Sequence, residues 1–546
     1  MELPTRIAPH ALDRAEPRRA VTNESITTIF SSRNLVVFVL LASIFTMTAG
    51  AITDPDFWWH LRTGQLICET HVVPRADVFS FTAQGTEWVT HEWLTEVVMY
   101  ATYRAAGWGG LVTLFSLVMT AALWLAERRA IKRDAHQLVA CATTLLAALA
   151  TMPIWGVRPQ MISFLFTSVF VFVLDDYMRS DETCDELAHL DQATLLAKRA
   201  PWLLVPLMLV WVNTHAGFAL GLALVALACA GVALDELSDR NEKPRRVREG
   251  RAWARARPLC LIFVACVAVV PLNPSGPRLF SYPFETLDSR SMQYIIEWLS
   301  PNFHQPNAQA FALLLLATCV ALALSPKRAR PSDLLLLSVA AYASLRAWRN
   351  IPFFALVAAP LLAEHSWSFI KNIRTSHRDE AAETARREVA SVGAAGARPA
   401  ASLILNFVAL VCVPLGLCAL RVSSATSNQP AVEAEKYPAA AVEFLRGRPT
   451  SGHLFNAYGW GGYLVWKLYP ERLVFIDGRA DVYGDALLEE YLRAEGGEPN
   501  WRATLDKYRI GVVMIRPDAA LASLLVEDAG WEKVYEDRQA VIFFKR

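Results

Sequence analysis

The chain has 546 residues, of which 54% are hydrophobic and 19% charged, and its formal net charge is +1; its mean hydropathy is +0.27. Soluble proteins carry about 25% charged residues, and one soluble core stops growing near about 250–300 residues, so a single soluble domain is excluded. The balanced charge, with no basic domain set apart, leaves no footprint for nucleic acid.

Residues 1–33 are an ordinary polar tail. From there to 422 one apolar block follows another, and a membrane-crossing helix needs roughly 17–25 such residues. In chain order the expected spans are Asn34–Ile52, Gly110–Ala126, His136–Met152, Gln160–Leu174, Pro201–Val212, Gly217–Ala233, Pro258–Leu272, Ala308–Ser325, Ser332–Ala347, Ile351–His365 and Ala401–Leu420. Ala49-Gly50-Ala51 has the small-residue form of a signal-peptidase site, but the basic leader before it is too long for a signal, so the first block is read as a span.

Lysine and arginine collect in alternate loops. They appear in the tail (Arg6, Arg14, Arg18, Arg19, Arg33), at Arg128–Arg133, at Arg179, Lys198 and Arg199, from Arg240 to Arg257, at Lys327–Arg330, and from Lys371 to Arg398. Cationic loops stay in the cytoplasm. The N-terminus is therefore expected inside, and the C-terminal part outside, of a cytoplasmic (inner) membrane. The nine cysteines lie mostly in the apolar blocks and none falls in the C-terminal part, so no disulfide framework is expected there.

Thr53–Gly109 is the longest loop on the outer side. It is rich in Trp and ends in an amphipathic pattern from His91 to Ala106, read as a surface helix. Residues 421–435 read as a connector (the linker proper at 423–435) and 436–546 as a small α/β domain. Strands are expected at Leu473–Ile476, Gly511–Ile515 and Ala540–Phe544, and helices at Pro438–Arg446, Asp485–Arg493, Trp501–Tyr508 and Ala519–Glu527. The fold class is thus a mainly α, polytopic membrane protein of about eleven transmembrane helices with an extracytoplasmic α/β domain.

Three constellations carry chemistry. Asp54-Pro55-Asp56-Phe57-Trp58-Trp59-His60-Leu61-Arg62 follows the first span, where a carboxylate beside lipid can act as base or hold a divalent cation such as Mg²⁺ or Mn²⁺ against phosphate. The plainer reading is a helix-capping loop anchored by interfacial tryptophans. Tyr458-Gly459-Trp460-Gly461-Gly462 and Asp477-Gly478-Arg479-Ala480-Asp481 lie near a strand end, where α/β folds place ligands; a tight turn with a local ion pair is the alternative. Arg158, His215 and Arg349 fall at outer ends of spans or in outer loops, while His91 and Glu92 lie in the first outer loop, and guanidinium groups match phosphate. No phosphate-binding loop, Gly-x-Ser-x-Gly elbow or zinc-type His/Cys spacing occurs.

This layout resembles the GT-C membrane glycosyltransferases, distantly the catalytic subunit of oligosaccharyltransferase. An acidic residue in the first outer loop, followed by Arg about six places on, corresponds to Asp56 and Arg62, with Asp54 as second candidate. The Gly- and aromatic-rich stretch around Tyr458–Tyr463 is similar in placement to that family's Trp-Trp-Asp signature. The triplet itself is absent, which speaks against recognition of a peptide sequon. The resemblance implies a lipid-linked sugar donor, Asp54 and Asp56 as catalytic and metal-ligating residues, and a substrate site that draws on His60, Arg62, His91, Glu92, Arg158, His215, Arg349, Tyr458, Trp460, Asp477 and Arg479. Its partners would be a polyprenyl-phosphate sugar, a glycan, lipid or protein acceptor, and the bilayer. Sugar transfer outside the membrane needs such a donor because nucleotide sugars are absent there. A transporter or flippase would instead gather polar groups near the midplane, and a non-catalytic envelope-assembly scaffold would use the C-terminal domain for docking.

Overall fold

The computed structural model describes residues 32–180, 200–238, 245–385 and 400–546. The N-terminal tail and parts of several cationic loops lie outside these residues. Among the described residues eight helices are long and apolar enough to cross a membrane: Trp93–Lys132, Gln137–Ile154, Gln160–Arg179, Phe218–Ser238, Arg245–Leu272, Pro306–Leu324, Trp348–Arg374 and Leu410–Lys436. Asn34–Thr48 and Ala200–Trp211 are shorter apolar helices, and Pro331–Arg346 is a helix of 16 residues. The chain is therefore a multi-pass membrane protein. Proline in the first turn starts the helices at Pro306 and Pro331, where its missing N–H would have no helical partner anyway.

Three elements run longer than expected. The amphipathic segment after His91 is the first part of a 40-residue helix, Trp93–Lys132, that bends at Gly107 with φ 59°. That sign of φ suits glycine alone among common residues, so one helix both lies along the loop and enters the bundle. The cationic run before Pro258 is itself helical, within Arg245–Val269. Residues 421–435 form no loose connector; they belong to the helix Ala400–Lys436. There the buried Gln429 side chain accepts from the Ile52 N–H at 2.8 Å and donates to the Ile52 carbonyl at 3.1 Å. Polar composition hid this clamp, because a single amide aimed at one backbone leaves no periodic trace.

The bundle end bearing Arg133 is tied by a buried ionic network. The Arg133 guanidinium reaches Asp175 at 2.5 Å, Asp333 at 2.7 Å and Glu364 at 3.0 Å, while Arg129 lies 3.3 Å from Asp175 and Lys327 2.7 Å from Glu364. Its members come from four helices and the loop before Pro331. Loss of one partner in such a network costs about 3–5 kcal/mol because a buried charge is left alone.

In the C-terminal part a four-stranded sheet runs in the order β1-β2-β4-β3, with β1 His453–Asn456, β2 Ile510–Ile515, β3 Trp531–Glu536 and β4 Val541–Lys545. β1 is parallel to β2, and β4 is antiparallel to both β2 and β3. Every residue of β2 is buried, as expected for a central strand covered on both faces. Leu473–Ile476 is not a strand of this sheet. Val474 instead pairs with the first long loop, donating to Phe79 O at 3.1 Å and accepting from Phe81 N at 3.2 Å. Trp58 meets Tyr437 and Tyr463 edge-on. Loop and domain are thus one packed body, and the candidate site forms where they meet the bundle.

Candidate active site

The helix Phe57–Thr70 crosses the start of Trp93–Lys132 closely because Gly64 has no side chain; a Cβ there would lie 2.0 Å from Glu96 O. The crossing sets His60, one turn earlier, against two carboxylates. His60 Nδ1 is 3.0 Å from Glu96 Oε1 and 3.3 Å from Glu92 Oε2. From the other side His215 Nε2 stands 3.4 Å from Glu92 Oε1. The His215 tautomer follows from its neighbours. Gly217 N–H donates to Nδ1 at 2.9 Å and Ser163 Oγ lies 2.7 Å from the same atom, so the neutral ring carries its proton on Nε2, facing Glu92. His91 Nε2 is 2.9 Å from the Tyr282 hydroxyl, which donates to Asp481 at 3.1 Å.

Asp56 stands beside this group. Its carboxylate accepts from Trp59 Nε1 at 3.2 Å, and its N–H donates to Asp54 Oδ1 at 2.9 Å. Gly478 of the C-terminal domain lies directly over it: a Cβ at Gly478 would fall 1.7 Å from Asp56 Oδ1. Burial first, and the Asp54 charge second, push the Asp56 carboxyl up to about 7. Burial, then Asp481 and Asp56, raise Glu92 to about 8. Burial holds the imidazoles of His60 and His215 below their usual value, and lowers His91 to about 3. At neutral pH the histidines are therefore uncharged and Asp56 sits near its midpoint.

These groups open on a cleft of about 1430 Å³, mouth included, that also takes in Arg158, Glu297, Trp298, Arg349 and Tyr282. The two arginines differ. Arg158 is held by Asp54 at 3.1 Å and Glu297 at 2.5 Å. Arg349 lies over the Trp298 ring at 4.2 Å, and no carboxylate pairs with it among the described residues.

Of the residues singled out from the sequence, Asp56, His60, His91, Glu92, Arg158, His215, Arg349, Arg479 and Asp481 line the cleft together. The others do not. Asp54 turns its carboxylate to Arg158 and faces a neighbouring cavity. Arg62 binds the Tyr469 carbonyl at 3.1 Å and lies over its ring. Trp460 and Asp477 are buried, and Tyr458 is half-buried under Tyr491. Arg479, though at the wall, is committed to Asp77 and Asp477 at 2.7 and 2.6 Å, so it braces loop against domain. Among the described residues the group of three metal-ligating side chains is His60, Glu92 and Glu96, separate from the expected pair Asp54 and Asp56. Sequence reasoning missed Glu96 and Tyr282 as site residues, since one sits inside a helical pattern and the other starts a short helix, Tyr282–Asp288, that leaves no periodic signal.

No protein-family model and no curated protein sequence matches the chain. Solved structures do. The Archaeoglobus fulgidus oligosaccharyltransferase in its apo form aligns at TM-score 0.51 and 12% identity over 88% of this chain and 69% of that one. The same enzyme tethered to an acceptor peptide containing the NVT sequon aligns at 0.51 and 11%, over 89% and 69%. ArnT from Cupriavidus metallidurans bound to undecaprenyl phosphate gives 0.46 and 15%, over 95% and 98%. At this sequence distance the likeness is one of architecture, and the chain has the fold of the GT-C membrane glycosyltransferases.

Proposed function

We propose that the chain is a membrane glycosyltransferase that moves a sugar from a polyprenyl-phosphate-linked donor to an acceptor on the extracytoplasmic face. The observation that carries this reading is one cleft holding a carboxyl near its midpoint, Asp56, and an arginine, Arg349, that is in no close ion pair among the described residues. The finer expectations belong to the same proposal. These are an N-terminus in the cytoplasm, about eleven spans, a tail at 1–33, a bundle over 34–422 and an extracytoplasmic domain over 436–546.

Asp56 takes the proton of the acceptor hydroxyl or amide as that atom attacks the anomeric carbon. The bond from this carbon to the phosphate oxygen breaks on the opposite face, inverting the centre, and its electron pair leaves on the polyprenyl phosphate. Arg349 holds that phosphate through charge-assisted hydrogen bonds, its guanidinium lying over the Trp298 ring at 4.2 Å. Arg158 is a positioning residue: it fixes Asp54, whose carboxylate caps the Asp56 N–H. Tyr282 and Asp481 offer polar atoms to sugar hydroxyls. A divalent cation, Mg²⁺ or Mn²⁺ on the resemblance, which assigns it to Asp54 and Asp56, would supply positive charge to the site.

The test separates the arginines. Binding of undecaprenyl phosphate to the detergent-purified chain, read by native mass spectrometry, should weaken about 10- to 100-fold in Arg349→Ala, the range of a charge-assisted contact. Arg349→Lys should recover part of the loss. Unchanged binding in Arg349→Ala would remove the phosphate role from this residue.

A further inference from the structure

Glu96 is buried and Glu92 largely so, and among the described residues neither is ion-paired with an arginine or lysine. Among the described residues their only ionic partners are histidines, His60 for both and His91 and His215 for Glu92. Buried acids are otherwise paired with a base, protonated or bound to metal. A second observation bears on the choice. Glu96 is fully buried, yet its Oε2 has no hydrogen-bond partner, and His91 Nδ1, 3.7 Å from Glu92 Oε1, has none either.

The spacing fits a metal ion. One ligand atom each from His60, Glu92 and Glu96 lie within 4.8 Å of one another. Tetrahedral bonds of about 2.0–2.2 Å put donor atoms roughly 3.3–3.6 Å apart, close to the 3.0 and 3.3 Å separations from His60 Nδ1. His215 presents Nε2–H and so supports Glu92 from outside, the usual way a ligand is oriented by its neighbour. His60 and Glu92 line the cleft and give an entry path.

We propose that His60, Glu92 and Glu96 bind one divalent first-row transition ion, of the Zn²⁺ or Mn²⁺ class, on the wall of the cleft and independently of the Asp54–Asp56 pair. One imidazole with two carboxylates suits this class better than Mg²⁺ or Ca²⁺, which prefer oxygen alone. The binding does not depend on the glycosyl-transfer reading; only the use of the ion, as charge facing the donor phosphate, rests on it.

The test is metal content of the intact chain in detergent. After chelation it is dialysed against Zn²⁺ or Mn²⁺ alone and measured by inductively coupled plasma mass spectrometry. The normal chain should hold about one ion more than Glu96→Gln or His60→Gln, and Asp56→Asn should hold as much as the normal chain. Equal metal in the normal chain and both variants, or loss only in Asp56→Asn, would overturn the assignment. Should the variants fail to elute as folded protein, Co²⁺ loaded into the normal chain decides. Visible bands of nitrogen and oxygen ligation, without thiolate charge transfer, support the site, and thiolate bands or a hexa-aquo spectrum overturn it. Metal retained in an Asp56→Asn chain that has lost transfer would separate this site from the function proposed above.

Discussion

At the scale of single residues, the cleft works by withholding water from carboxyl groups. Burial is the largest cause at Asp56, and Asp54 adds to it. Ionisation of Asp56 in the folded chain therefore centres near pH 7, well above the usual carboxylate range. A base must be ionised to accept a proton, so transfer should fall as pH drops through 7, by about tenfold per unit on the acid limb. A rate profile from pH 5 to 9 at saturating donor checks this; a limb centred near pH 4 would assign the base elsewhere. The linkage to stability runs the other way. A carboxyl whose folded value is raised stabilises the fold most at low pH, and this contribution is lost as pH rises through about 7. Asp56→Asn should then lose activity while raising the melting temperature more at pH 8 than at pH 5.

Among the elements, the contact between Gly478 and Asp56 is where the C-terminal domain reaches the proposed base. A methyl group at Gly478 would occupy the space of the Asp56 carboxylate, so Gly478→Ala must displace either the turn or the acid. Activity should drop about 10- to 100-fold, as misplacement of a catalytic group by about 1 Å does, while the chain stays folded. Equal turnover would show that the turn yields freely. Much of this level was legible beforehand. The family resemblance, resting on the spacing from Asp56 to Arg62, pointed to the acidic loop, and the apolar runs around β2 and β4 marked two strands. Val474 was misread because its β-branched run serves a pairing with Phe79 and Phe81 some four hundred positions away in sequence. β3, Trp531–Glu536, was missed because it carries charged residues on a partly exposed strand. The metal-type cluster was hidden by a helix crossing: His60 and Glu96 meet only because Gly64 lets two helices touch.

The whole molecule joins three pieces at one place. The first long loop is bound to the domain through Phe79, Phe81, Asp77 and Arg62. The last bundle helix continues to the domain and clamps Ile52 through Gln429. The segment before Pro306 reaches across as well, where Asp485 accepts from Ser289 Oγ at 2.7 Å and Ser291 N at 2.8 Å. A cleft walled from three sides can hold an amphiphile whose phosphate meets cations while its sugar faces carboxylates. The measurement that tests the account most directly compares lipid-linked sugars and envelope glycans, by mass spectrometry, in cells carrying the normal chain and Asp56→Asn. Loss of one sugar from a glycan together with accumulation of its polyprenyl-phosphate donor is the predicted result. Unchanged glycans and donors in Asp56→Asn cells, where deletion of the chain does alter them, would contradict it.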